Sequence, residues 1–181
     1  MSVKIELCET LPSRAALDDV LGQYYALIYD RMAQMGVHLP PDAAASALNE
    51  FWDNAHDYLP PKGCLVVARD ASGPIVGCGM MKCLDAETGE LKRLFVSDSA
   101  RGTGAGRRLV EARIDAARAM GLKRLVADTL SPNVEMRALY PKLGFAELSE
   151  PYETTTYRDQ PMLRPHMHYF MRDLSLDAQT P

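Results

Sequence analysis

Along the chain the spacing of apolar positions switches between the period of a strand and the period of a helix. Residues 4–10, KIELCET, alternate as a half-buried strand does. Behind Pro12-Ser13 the period lengthens. Leu17, Val20, Leu21, Tyr24, Tyr25, Leu27, Ile28 and Met32 recur at three and four, which predicts a helix over 13–35 that Gly36 ends. A second helix follows over 40–59. Pro41 stands at its start, Leu48, Phe51, Trp52, Ala55 and Leu59 form its apolar side, and Pro60-Pro61-Lys62-Gly63 stops it. Three apolar runs, 64–70, 75–84 and 90–97, are separated by the turn Ala71-Ser72-Gly73-Pro74 and by residues 85–89, as three antiparallel strands would be. The glycine-rich segment 101–106 then enters a helix of about 17 residues with Leu109, Val110, Ile114, Ala117 and Met120 on its apolar side and Gly121 as its stop. Residues 122–130 read as a strand, 131–145 hold a short helix ended by Gly144, and 145–152 and 166–174 read as late strands around a polar stretch, 153–165. The order predicts an α+β fold: a mixed, mostly antiparallel sheet of six or seven strands with about four helices.

Composition narrows the class. A chain of 181 residues that is 47% hydrophobic can bury one substantial core, so residues 1–174 read as one domain, with 175–181 as a flexible tail. A net charge of −4 argues against a dedicated nucleic-acid binder. No apolar run approaches the roughly 20 residues of a membrane span. Cys8, Cys64, Cys78 and Cys83 form no Cys-x-x-Cys pair and no charged-then-apolar leader opens the sequence, so the thiols read as reduced packing residues of a cytoplasmic protein. The charge is uneven. Residues 1–62 carry nine acids and four bases, whereas 101–124 carry seven bases and two acids, and this basic segment begins at the glycines.

That segment, RGTGAG, is where the chemistry starts. Glycines let backbone N–H groups approach a ligand, and N–H donors feeding a helix N-terminus make an anion site suited to a phosphate or pyrophosphate. No Lys-Ser or Lys-Thr follows, so it is not a P-loop. Arg107 and Leu109 stand where a dinucleotide fingerprint needs glycine, and the segment follows hairpins rather than opening a βαβ unit.

Arg101, Gly104 and Gly106 match the [Q/R]-x-x-G-x-[G/A] signature, and Asn133, Ala138-Leu139-Tyr140 and Lys142-Leu143-Gly144-Phe145 match a second one. In both the chain resembles the GCN5-related N-acetyltransferase (GNAT) superfamily, over roughly residues 64–171 and most specifically over 90–145. Pro141 departs from the polar residue common after that tyrosine. The resemblance implies acetyl-CoA as cosubstrate and no metal. Its pyrophosphate would sit on the Arg101 loop, on N–H groups of Gly102, Thr103, Gly104, Ala105, Gly106 and Arg107. Its pantetheine arm would pair with Leu94, Phe95 and Val96, in a slot made where the next strand splays away. Asn133 would hydrogen-bond near the pantetheine and Tyr140 would stand beside the thioester sulfur as general acid. Glu90 is the first candidate for the base and Asp128 the second. The implied reaction is direct attack by a primary amine of a small molecule or peptide in a ternary complex. The alternative is a silent acyl-CoA sensor or interaction protein on the same fold. Neither nucleic acid nor membrane is an implied partner; a homodimer is.

The remaining candidates carry less. The substrate side would be built from the first two helices, residues 36–42 and the polar stretch 153–165. The acidic excess of residues 1–62 suggests a cationic amine, with Tyr24, Tyr25, Trp52, Tyr152 and Tyr157 to line its pocket. Arg93 reads as a structural ion-pair partner. His166 and His168 share a strand face without an evident third metal ligand.

Overall fold

Seven strands hydrogen-bond into one sheet in the computed structural model, which describes residues 2–176. They are β1 (Val3–Leu7), β2 (Gly63–Asp70), β3 (Ile75–Cys83), β4 (Thr88–Val96), β5 (Arg124–Leu130), β6 (Ala146–Glu147) and β7 (Met167–Asp173), in the spatial order β1-β2-β3-β4-β5-β7-β6. Only β4 and β5 pair in parallel. A parallel pair needs a crossover, and α3 (Ala105–Ala119) supplies it. The other α-helices are α1 (Arg14–Gln34), α2 (Ala43–Asp53), α4 (Val134–Lys142) and α5 (Thr155–Asp159), and short 3₁₀ turns cover 55–58, 98–100 and 161–166. The α+β expectation and the strand count therefore hold.

Side-chain alternation builds two cores, one on each face of the sheet. Along β2, Cys64, Val66 and Ala68 pack against Leu109, Val110, Ile114 and Ala117 of α3. Leu65 and Val67 face the other way, against Leu17, Val20 and Leu21 of α1 and Phe51 of α2. Burial on both faces is why this strand reads as an unbroken apolar run. Each fully buried leucine or valine contributes about 1.5–3 kcal/mol.

One residue breaks the alternation. Leu91 lies in the α3 core, and Phe95, four residues on, lies in the α1–α2 core. In a regular strand they would share a face. The register with β3 shows the cause: Met80 pairs with Lys92 and Cys78 with Phe95, so β4 holds one residue more than β3. This is a β-bulge, and Arg93 within it takes φ +48°. The β4–β5 ladder ends close by. It runs from Thr88↔Arg124 to Leu91↔Ala127 and stops, although the strands continue to Val96 and Leu130.

Several boundaries differ from expectation. β1 ends at Leu7, and the second helix ends at Asp53 before a separate 3₁₀ turn. The expected strand over 145–152 shrinks to the two residues of β6, since Ser149, Glu150 and Pro151 do not continue a ladder. The polar stretch 153–165 is not open loop but holds α5, capped by Thr154, whose Oγ1 accepts from Tyr157 N–H at 3.2 Å. Of the expected tail 175–181, residues 177–181 lie outside the described residues.

Candidate active site

The divergence of β4 from β5 opens a cavity of about 1180 Å³. Leu94, Phe95 and Val96 line it from β4, and past Leu91 the β4 edge that faced β5 has no strand partner among the described residues. The bulge is propped from behind. Arg113 of α3 is fully buried and donates through Nη1 to the carbonyls of Met80 (3.0 Å) and Lys92 (3.4 Å), and through Nε to Leu109 O (3.0 Å). Gly79 makes room for it, since a Cβ there would lie 2.8 Å from Nε.

At one end of the cavity stands the glycine loop. Gly102 and Gly104 take φ +78° and +77°, left-handed conformations in which a Cβ is strained. Thr103 is turned inward. Its N–H and Oγ1 donate to Ala100 O at 3.4 and 2.7 Å, and its Oγ1 accepts from Ala105 N–H at 3.3 Å. The N–H groups of Gly102, Gly104, Gly106 and Arg107 have no partner among the described residues. Four uncommitted donors at the N-terminus of a 15-residue helix form an anion cradle. The side chains of Arg101 and Arg107 pair with Asp98 and Glu111 at 2.9 and 2.8 Å, so the cradle is made of backbone.

Tyr140 and Asn133 come from α4 and its cap. The Tyr140 ring lies between Phe145 and Phe170, each centroid 5.1 Å away, and its hydroxyl has no hydrogen-bond partner among the described residues. Burial pushes its pKa up to about 12 against the opposing charge of Arg113, so the phenol stays protonated. The Asn133 amide donates to Thr129 Oγ1 at 2.9 Å and accepts from Arg31 Nη1 at 2.6 Å. Arg31 also meets Glu135 at 2.6 Å and thereby ties α1 to the start of α4.

The two carboxyl candidates sit in different surroundings. Glu90 is fully buried. It accepts from Lys92 Nζ at 3.0 Å and from the N–H and hydroxyl of Thr155 at 3.2 and 2.8 Å. Asp128 lines the cavity and accepts from the hydroxyls of Thr154 and Thr156. Burial raises its pKa, partly offset by the charge of Lys92.

A cleft in a splayed sheet, a backbone anion cradle and a protonated tyrosine thus line one cavity. The family model described as the acetyltransferase (GNAT) family matches residues 26–145. The chain belongs to the GNAT acetyltransferase family. It is similar to an uncharacterized N-acetyltransferase of Schizosaccharomyces pombe, 30% identical over 146 residues, 77% of this chain and 84% of that protein. It is also similar to an IAA acetyltransferase of Azospirillum brasilense, 48% identical over 84 residues, 45% of this chain. The match spans 54% of that relative, about half its length. A GNAT family acetyltransferase from Elizabethkingia anophelis with acetyl-CoA bound shares the fold, with a TM-score of 0.60 at 19% identity over 94% of this chain and 97% of that one.

Within this GNAT fold the elements expected on the substrate side line the cavity only in part. α1, α2 and residues Thr155, Thr156, Asp159, Gln160 and Leu163 line the cavity, and residues 36–42 do not. Tyr24 and Tyr25 face it. Trp52 instead donates to Asp18 at 2.5 Å, Tyr152 lines a separate small pocket, and Tyr157 packs under Arg164. Of the acids in residues 1–62, Asp57 pairs with Lys62 and Lys82 and Glu6 with Lys4 and Arg69, and among them only Glu50 lines the cavity. Arg93 is not an ion-pair partner among the described residues; it donates to tyrosine hydroxyls. His168 is engaged at both ring nitrogens, by Ser131 and Glu147. Burial raises the pKa of Cys64 to about 11 and of Cys78 to about 12, which removes them as thiolate nucleophiles. Lys92, Arg113 and the Thr154–Thr156 hydroxyls were missed. For Lys92 and Arg113 the one sequence signal is polarity within buried elements, which does not say where a side chain lands, and the threonines stand in a polar stretch that gives none.

Proposed function

We propose that the chain is an acetyl-CoA-dependent N-acetyltransferase that acts on a primary amine by direct attack in a ternary complex, in the cytoplasm and as the homodimer that the family resemblance implies. One observation carries this reading: the uncommitted N–H donors of Gly102, Gly104 and Gly106, the unpartnered β4 edge and Tyr140 all belong to one cavity. Acetyl-CoA would supply an activated acyl group as a thioester. The N–H groups of Gly102, Gly104, Gly106 and Arg107 would hold its diphosphate, and Leu94, Phe95 and Val96 would offer backbone to its pantetheine arm beside Asn133.

Asp128 would take the proton that the amine releases. A carboxyl raised by burial is a stronger base than an exposed one and lies nearer the working pH. Glu90 is the lesser candidate, because its oxygens are sealed under Thr155 and Lys92; it fixes α5 over the site. Tyr140, at about 12, lies about 3.5 pH units above a free thiol, a gap of about 5 kcal/mol against outright proton transfer. Its role is therefore to donate a hydrogen bond to the leaving sulfur, where negative charge develops.

The test is thiol release from acetyl-CoA with and without a panel of amino acids, polyamines, aminoglycosides and short peptides. Amine-dependent release is expected, and Tyr140→Phe is expected to lower kcat on the order of 10²-fold with the affinity for acetyl-CoA unchanged. Binding of acetyl-CoA with silence across the panel would replace this reading with the sensor. A parallel loss of binding and turnover in Tyr140→Phe would make the tyrosine a packing residue.

A further inference from the structure

The bulge in β4 does more than end a ladder. In a regular strand Arg93 would share the face of Leu91, beneath α3. The extra residue, together with φ +48° at Arg93 itself, turns this side chain to the opposite face, among α1, α2 and the 55–58 turn. A strained backbone thus aims a cation into the acceptor half of the cavity.

The guanidinium is held firmly there. Nε donates to Tyr25 Oη at 3.1 Å and Nη1 to Tyr58 Oη at 2.5 Å. Its carbon lies 5.6 Å from the Phe51 ring centroid and 5.2 Å from that of Tyr58. What it lacks is an anion: no carboxylate among the described residues pairs with it. Nη2 has no partner among the described residues and is not sealed in protein, and Arg93 lines the cavity. Tyr25 spends its own proton on Ala47 O at 3.3 Å. The Tyr58 hydroxyl accepts from Arg93 and donates to nothing among the described residues. One guanidinium edge and one hydroxyl proton therefore face the same space, walled by aromatic rings. A planar, singly charged carboxylate meets such donors; a phosphate would bring up to two charges against one cation.

We infer that the acceptor amine carries a carboxylate, as an amino acid does, and that Arg93 with Tyr58 Oη holds that carboxylate while the amine faces Asp128. The inference rests on the acetyltransferase reading and replaces the cationic amine suggested by composition.

Binding can be tested apart from turnover. The twenty standard L-amino acids and their carboxamides are titrated by calorimetry into CoA-saturated protein. At least one acid is expected to bind about 10- to 100-fold more tightly than its amide, the scale of a charge-assisted hydrogen-bond set. Arg93→Gln is expected to abolish that preference with CoA affinity unchanged, and Arg93→Lys to keep part of it. Equal binding of acids and amides, no amino acid bound at all, or a preference that survives Arg93→Gln would overturn the inference. The wild-type comparison decides it even where a variant fails to fold. Carboxylate-selective binding without thiol release from acetyl-CoA would leave the subsite standing and sink the acetyltransferase reading instead.

Discussion

At the scale of single residues, Asp128, the proposed base, is where activity and stability are expected to pull apart. Burial holds its pKa above the ordinary carboxylate value, so the folded state binds its proton more tightly than the unfolded chain does. The sign follows. Its contribution to stability is present in acid and is lost as pH rises through the folded pKa, so above that pKa the ionised carboxyl is a net burden on the fold. Asp128→Asn keeps an acceptor oxygen for one of the Thr154 and Thr156 hydroxyls, offers an N–H to the other hydroxyl's oxygen, and carries no charge. Its melting temperature is expected to equal or exceed that of the wild type at pH 8, with the difference closing towards pH 4. The same variant should lose the acid limb of the kcat/KM profile along with most of the activity, by a factor on the order of 10² to 10⁴. A variant less stable than the wild type at pH 8, with its acid limb intact, would assign Asp128 to the scaffold.

At the scale of elements, the glycine loop and α3 form one device, and Gly104 separates its two functions. As the N-cap of α3 it needs φ +77°, while a side chain there would meet no atom within 4 Å. Substitution therefore acts through backbone strain and through the ligand, not through a clash. Asp tolerates the left-handed region better than Ala, for which the conformation costs about 1–2 kcal/mol. Stability should thus rank Gly104→Asp at or above Gly104→Ala. Affinity for acetyl-CoA should rank the other way, with Asp at least about 10-fold weaker than Ala, since a carboxylate would face the diphosphate. Identical rankings in melting and binding would mean that the loop serves only to start α3. Elements of this kind were legible because their signals are local: Ser13 ahead of α1, Gly121 behind α3 and the doubled glycines each act within a turn. α5 was not legible. Its TTYRD has no apolar stripe, and it is a helix because Thr154 caps it and Glu90, far off in sequence, receives its Thr155.

At the scale of the molecule, what the sequence did not disclose is the bulge, because strand periodicity assumes that no residue is inserted. The run 90–97 reads as a plain strand, and Arg93 then falls on the wrong face with the wrong partner. The pairing with β3 sets the bulge, and the bulge sets both the cavity and the direction of Arg93. Past Leu91 and Ala127 the sheet is two half-sheets, β1 to β4 on one side and β5, β7 and β6 on the other, with Arg31 reaching from α1 to Asn133 and Glu135 across the gap. A ligand that lies along β4 and touches α4 joins both halves, so its binding energy should appear as global stability. At a concentration of 100 Kd, acetyl-CoA should add about 2.7 kcal/mol, which for a chain of this size raises the melting temperature by about 5–11 °C. ATP, which shares the adenosine and a 5′-diphosphate but has no pantetheine arm to lie along β4, should add much less. Hydrogen exchange should slow most within 94–96 and at Gly102, Gly104, Gly106 and Arg107, the positions that would gain hydrogen bonds. Equal stabilisation by ATP would return the cradle to a general phosphate site, and protection confined to 102–107 would mean that the β4 edge takes no ligand backbone.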